Sequence, residues 1–455
     1  MTFSPADLAR LLLALTLLLT AAHAWGYLFS YLRMPRVIGE ILGGLCLGPT
    51  LFGTLLPGLQ SAVFPSEGPT AAVLGAVYQL GLLLLMYSSG AEVREGASRA
   101  EGKTVGLITL SGTLLPFVCG LVALGVVDLE GLMGPAANRS SFFLVFAIAI
   151  AVTSIPVISR IMHDLGILET SFARIVLAAA VIEDVLLYVA LAVAVGLVQS
   201  VQGEAFGVAA VLESRGGAAW STAYYVAATL SVIGACLWLG PRMYLGALRF
   251  RYNLLNRSNP IAFQLVFLLA ITGICVLLGI APMFGAFVAG TMVASRRVRQ
   301  REALEGIRSF SFAFFIPVYF AIVGLRLDLV REFSPTFFAL FLLFACAAKS
   351  LSVYAGARLA GEAPFAATNF AIAMNARGGP GIVLASVAFD ALIIDESFYS
   401  TLVMLAIVTS LIAGAWLEAI VRSERPLRID EPVLEYEGSA KETWLDRLRL
   451  ARERR

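Results

Sequence analysis

The chain has 455 residues, 59% of them apolar and only 14% charged, against about 45–50% and about 25% in soluble domains. A net charge of +2 argues against a nucleic-acid partner, and two histidines are too few for a histidine-based metal site. The five cysteines all lie within apolar stretches, where packing is expected and not a disulfide framework.

The apolar residues fall in blocks of about twenty separated by short charged loops, the pattern of an all-α polytopic membrane protein in its lipid bilayer. About thirteen spans are predicted on length and hydropathy. They cover 8–31, 35–56, 70–90, 104–127, 141–162, 171–200, 217–245, 258–279, 281–295, 309–327, 335–359, 365–389 and 397–421. One set of connecting loops is rich in arginine, with Arg242, Arg249, Arg251 and Arg257 in one and Arg296, Arg297, Arg299, Arg301 and Arg308 in another. The alternate set, N-terminus included, carries Arg10, Arg139, Arg215, Arg326 and Arg331. The positive-inside rule then places the N-terminus outside and the C-terminus in the cytoplasm. The residues after Arg422 form a short tail of mixed charge, too short for a nucleotide-binding regulatory domain.

Three internal correspondences point to a repeat. Gly39 and Gly44 in the second span match Gly285 and Gly290 in the ninth. Gly90-Ala91-Glu92-Val93 resembles Gly324-Leu325-Arg326-Leu327 at the ends of the third and tenth spans. The fifth span is interrupted at Thr153-Ser154-Ile155-Pro156, and the twelfth at Asn375-Ala376-Arg377-Gly378-Gly379-Pro380-Gly381. All three are offset by seven spans, and an odd offset reverses orientation, so an inverted repeat is expected with the seventh span as its linker. Proline removes a backbone donor and glycine permits unwinding. Each interruption is therefore either a simple kink or a true helix break lining a protein or water cavity, where freed carbonyls can join a cation site.

Charges inside the spans are the remaining signal. Glu183-Asp184 sits in Ala180-Val181-Ile182-Glu183-Asp184-Val185, about ten residues and roughly 15 Å from the basic end of its helix. That depth is near the middle of a hydrocarbon core about 30 Å thick, where an ionisable residue marks an ion or proton pathway by default. Lys349 lies mid-span in Ala347-Ala348-Lys349-Ser350-Leu351; it is too deep to snorkel, and Glu183 or Asp184 is its natural partner. Arg377, in the twelfth-span break, either binds a carboxylate or caps freed carbonyls. Glu40 is expected as an interfacial anchor, Arg326 with Asp328 as a solvated pair, and His23 as a packed helix residue.

Taken together, these stretches resemble the monovalent cation/proton antiporter-2 family of the sodium/proton exchanger superfamily. The resemblance is carried by Met34-Pro35-Arg36-Val37-Ile38-Gly39-Glu40-Ile41-Leu42 with Leu47-Gly48-Pro49, by Thr153-Ser154-Ile155-Pro156-Val157, and by Ala180 to Val185. Gly285-Ala286-Phe287-Val288-Ala289-Gly290 and Pro317-Val318-Tyr319-Phe320 with Val323-Gly324-Leu325 complete it, followed by Lys349 and the Asn375 to Gly378 stretch. It implies thirteen spans, two crossing discontinuous helices, a homodimer, and a dimerisation domain beside a mobile core. The dimerisation domain would comprise 1–98 and 256–332, and the core 99–203 and 333–422, with 204–255 as the linker helix and 423–455 as the cytoplasmic tail.

The resemblance further implies exchange of a monovalent cation, Na⁺ favoured with K⁺ and Li⁺ as alternatives, for protons by an elevator movement of the core. Asp184 would bind cation and proton in turn, a transient metal site. Glu183 would pair with Lys349, and Thr153 and Ser154 would help coordinate the ion. No cofactor beyond the transported ions and no enzymatic activity is expected, and the setting is a bacterial inner membrane. One departure stands out: relatives carry Asp, Asn or Gln where this chain has Glu183, an acid longer by a methylene than aspartate. The competing reading is a sodium-coupled symporter of a small organic anion on a related inverted-repeat fold; apart from Arg377 the spans supply few anion-binding groups.

Overall fold

The computed structural model describes residues 4–31, 34–92, 101–127, 129–202, 218–250, 253–293 and 298–428. Val93, Arg215, Arg251, Arg296, Arg297 and the tail beyond 428 lie outside the described residues. Prolines open many of the helices, because the first helical position needs no backbone donor and the ring presets φ.

Helix α1 (Pro5–Tyr31) packs on α2 (Arg36–Leu47), which runs through a π-turn at Pro49–Gly53 to the short α3 (Pro57–Val63). Then come α4 (Pro69–Glu92), α5 (Gly102–Val126), α6 (Arg139–Ala151), α7 (Ile155–Asp164) and α8 (Ser171–Gln202). After α9 (Ala218–Arg249) and the short α10 (Leu254–Ser258), the second half runs α11 (Pro260–Leu277), α12 (Pro282–Val293) and α13 (Val298–Phe310). A π-turn at Ser311–Phe315 joins α13 to α14 (Ile316–Leu325). The last helices among the described residues are α15 (Pro335–Ala360), α16 (Pro364–Ala373), α17 (Gly378–Asp390) and α18 (Glu396–Arg422). Among the described residues, eight helical stretches are long and apolar enough to cross a membrane, while α6, α12 and α17 are shorter apolar helices. The segment 298–308, expected as a charged loop, is helical and leads directly into the tenth predicted span.

Four glycines fix how the first half meets the second. A Cβ on Gly44 would fall on the Ala321 carbonyl of α14, and one on Gly324 would fall on the Ile41 carbonyl of α2. Likewise a Cβ on Gly290 would meet the Tyr87 carbonyl of α4, and one on Gly90 the Phe287 carbonyl of α12. Each glycine rests on the residue three positions before its partner glycine. The α2–α14 crossing and the α4–α12 crossing are thus the same contact made twice, with the halves exchanged. Small residues permit this backbone approach where lipid supplies no hydrophobic drive for association. Gly39 against the backbone of Trp25 in α1, and Gly285 against Thr272 and Cys275 in α11, continue the correspondence.

The two expected helix breaks are real breaks, not kinks. Helix α6 stops at Ala151 and α7 restarts at Ile155 with Ser154 as its N-cap, its hydroxyl accepting from Val157 N (3.4 Å). Helix α16 stops at Ala373 and α17 restarts at Gly378. The extended pieces touch: Ser154 N donates to Ala376 O (2.6 Å) and Thr153 Oγ1 to Met374 O (2.7 Å). Gly378 has a φ of +25°, and a Cβ there would collide with Val157 and with Ser154 Oγ. Only glycine fits that position.

Several smaller expectations change. Arg326 does not pair with Asp328; it reaches Asp390 (2.6 Å), while Asp328 Oδ1 accepts from the amides of Val330 and Arg331. Glu40 is no interfacial anchor but 4% exposed, accepting from Arg36 Nε one turn earlier (3.0 Å). His23 does more than pack, joining the Ala313 carbonyl in the π-turn (2.9 Å) to the Arg36 guanidinium. The links from Arg326 to Asp390 and from His23 to Ala313 leave no trace in sequence patterns because their partners lie on distant segments.

Candidate functional site

The crossing brings four helix ends together inside the protein, and the charged residues are arranged around them. A broken helix leaves the last carbonyls of one half and the first amides of the next without helical partners. The α6 end is served by cations from elsewhere. Arg377 Nε donates to Ala149 O (3.2 Å) and Nη2 to Ile150 O (3.1 Å), while Lys349 Nζ donates to Ala151 O (2.6 Å). Positive charge at a helix C-terminus also suits the peptide dipoles.

Lys349 makes two further bonds, to Gly112 O (2.8 Å) and to Glu183 Oε2 (2.9 Å). Three acceptors match the three protons of an ammonium. Both side chains of the Glu183–Lys349 pair are fully buried, so neither charge is tolerable without the other. Of the two partners open to Lys349 in the sequence, the ion pair is made with Glu183. Gly112 makes room for it: a Cβ there would stand 2.9 Å from Glu183 Oε1 and from Val353 Cγ2. Arg377, for its part, caps carbonyls. Its guanidinium also donates to Ala345 O (2.9 Å) and to Asn375 Oδ1 (3.0 Å), and Asn375 Nδ2 in turn donates to Ser350 Oγ (2.6 Å) and Ala371 O (3.1 Å). The amides of Arg377 and Gly378 point to the hydroxyls of Thr409 and Ser410 on α18 (3.4 and 3.2 Å). Gly379 and Pro380 form the first turn of α17, and Pro156 that of α7.

Asp184 follows Glu183 on α8 and is 1% exposed. Adjacent helical residues point about 100° apart, so the two acids address different neighbours. Glu183 turns to α5 and α15. One turn beyond Asp184, the Tyr188 ring packs on Phe287 of α12, centroids 5.2 Å apart. Thr153 and Ser154, both 0% exposed, lie on the first break. The structure therefore assembles Glu183, Lys349, Arg377, Thr153 and Ser154 around one crossing, with Asp184 beside them on α8. Gly112, Thr409 and Ser410 were not legible as part of this site, since small residues are common in membrane helices and only the fold shows what they touch.

The whole arrangement has known counterparts. The sequence profile of the family described as sodium/hydrogen exchanger, transmembrane, matches residues 14–423. Cation/H(+) antiporter 18 of Arabidopsis thaliana is 28% identical over 92% of this chain and 49% of its own length. K(+)/H(+) antiporter 1 of Saccharomyces cerevisiae is 30% identical over 84% and 43%, so the chain spans about half the length of these curated relatives. The Na(+)/H(+) antiporter NhaS4 of Synechocystis is 27% identical over 86% of this chain and 92% of its own. Among solved structures, the sodium proton antiporter MjNhaP1 from Methanocaldococcus jannaschii superposes with a TM-score of 0.61 at 14% identity, covering 91% of this chain and 98% of that one, a likeness of fold. With a profile match that runs from the first span to the last, this chain belongs to the sodium/hydrogen exchanger family.

Proposed function

We propose that the protein is a secondary active transporter that exchanges a monovalent cation, Na⁺ favoured over K⁺ and Li⁺, for protons. The observation that carries this reading is the place of Asp184: a carboxyl buried at membrane depth, next in sequence to a fully compensated ion pair and beside two crossing helix breaks. Glu183 and Lys349 neutralise each other, and Arg377 is committed to carbonyls. Asp184 is the acid we assign to alternate between a cation and a proton, with no cofactor required. Thr153 and Ser154 offer hard oxygen ligands for the cation once it arrives.

Because Asp184 is closed off in this structure, exchange requires a rearrangement that opens it to each side in turn. The glycine crossings tie α2 to α14 and α4 to α12 as one scaffold, the dimerisation half of the protein. Helix α5 is equally tight on α15, where Gly356 abuts Ser111 and Leu107, and the breaks join α6–α7 to α16–α17. These two bodies, moving past one another, give an elevator-type mechanism in a homodimer of thirteen-span protomers. The N-terminus is placed outside and the arginine-rich loops in the cytoplasm of a bacterial inner membrane.

The test is dye-reported proton movement in proteoliposomes driven by Na⁺, Li⁺ or K⁺, with and without an imposed voltage. Cation-dependent proton flux, largest with Na⁺, is the expected result. Its absence with all three cations would overturn the reading.

A further inference from the structure

On the side opposite the arginine-rich loops, a second charged contact joins the two bodies. Arg326 caps the end of α14, and its guanidinium donates to Oδ1 of Asp390, the last residue of α17 (2.6 Å). Tyr78 of α4 donates to the other oxygen of the same carboxylate (3.0 Å), and the Arg326 guanidinium lies over the Tyr78 ring, 4.5 Å from its centroid. Tyr78 and Arg326 belong to the scaffold and Asp390 to the core. The pair is part exposed, 34% and 27%, so it stands at the boundary between interior and solvent.

Behind it lies a row of hydroxyls. The Tyr78 ring stacks on Tyr319 of α14 (5.0 Å), and the Tyr319 hydroxyl faces Ser386 of α17 and is within electrostatic range of Tyr188 on α8. Tyr188 in turn stands one turn from Asp184. The buried hydroxyls of Tyr319 and Tyr399 converge on that of Ser386, and the oxygen of Tyr188 is buried without a hydrogen-bond partner. A buried hydroxyl left so costs free energy that a phenylalanine or alanine would avoid. Packing alone does not account for a run of buried hydroxyls between an acid and a surface ion pair.

We infer that Arg326 and Asp390, backed by Tyr78, form the outer latch of the route to Asp184, and that Tyr188, Tyr319 and Ser386 line that route. The inference rests on the exchange reading for what travels along it. A hydrated monovalent cation or a proton leaving Asp184 toward that side meets these oxygens first. It then meets the Asp390 carboxylate, which is released to receive it only when Arg326 lets go. Because scaffold and core hold opposite charges, the latch favours the state that is shut on that side.

The test places a thiol in the row by Ser386→Cys, in protein inserted in sealed vesicles, and measures its reaction with a membrane-impermeant thiol reagent added from the outer side. Background labelling comes from the same protein without that substitution. Neutralising the latch by Arg326→Gln or Asp390→Asn is expected to speed labelling roughly fivefold, the scale of a part-exposed ion pair. The double variant should go no further than either single one. Independently, bridging Arg326→Cys to Asp390→Cys with a short bifunctional thiosulfonate is expected to stop exchange, and reduction to restore it. Unchanged labelling in both neutralised variants, or full exchange while bridged, would overturn the latch. Labelling reads the latch without any transport, so a protein that labels as expected yet moves no cation would sink the exchange reading alone.

Discussion

Lys349 Nζ and Glu183 Oε2 stand 2.9 Å apart with no exposure of either side chain, and the same ammonium holds the carbonyl that ends α6. One bond network thus carries a charge pair and a helix terminus together. Asp184, next along α8, points about 100° away from Glu183, so the two buried acids address different neighbours.

Asp184→Asn keeps the size of the side chain while removing its charge, so the fold should survive and exchange should not. Proteoliposome flux is expected to fall to that of empty vesicles, with an unchanged elution profile in detergent. Retained cation-driven proton movement would reassign the site.

Removing Lys349 strands a buried carboxylate. Lys349→Ala is expected to cost about 3–5 kcal/mol, read as a lower unfolding temperature in detergent. Adding Glu183→Gln to Lys349→Gln should return much of that loss, since neither charge then remains. Strictly additive losses would mean that the two do not act as a pair. Where the single variants still fold, the charge moved per cycle or its pH dependence should change.

Arg377 serves Ala149, Ile150 and Ala345 through one planar fork. In Arg377→Gln each abandoned buried carbonyl costs about 1–3 kcal/mol. Arg377→Lys should recover only part, because an ammonium cannot reproduce the fork. Thermal unfolding ranks the three proteins, and equal stability of Lys and Arg forms would contradict the capping role.

The repeated crossing makes a paired prediction. Gly44→Ala and Gly290→Ala should each lose about 1–3 kcal/mol through overpacking against a backbone carbonyl. Gly75→Ala, where nothing lies within 4 Å of the added carbon, should be neutral or slightly stabilising by helix propensity. A tolerated Gly44→Ala with a damaging Gly75→Ala would refute the packing account.

Much was legible along the chain because the bilayer is a severe solvent. Spans announce themselves by length, and Glu183, Asp184 and Lys349 by being charged where charge is costly. The two breaks show as Pro156 and as Gly378 through Pro380, residues that helices ordinarily avoid. A seven-span offset among Gly44, Gly90, Gly290 and Gly324 pointed to the inverted relation of the halves. What the one-dimensional pattern could not decide was pairing. Lys349 had two acids to choose from, Arg377 had two roles, and Arg326 had Asp328 two residues away but bonded to Asp390 on another helix. Such choices depend on distances of a few ångströms between segments far apart in the chain. Composition determined which residues had to find partners at membrane depth; only tertiary packing, through close glycine contacts and the crossing of two broken helices, decided which partners they found.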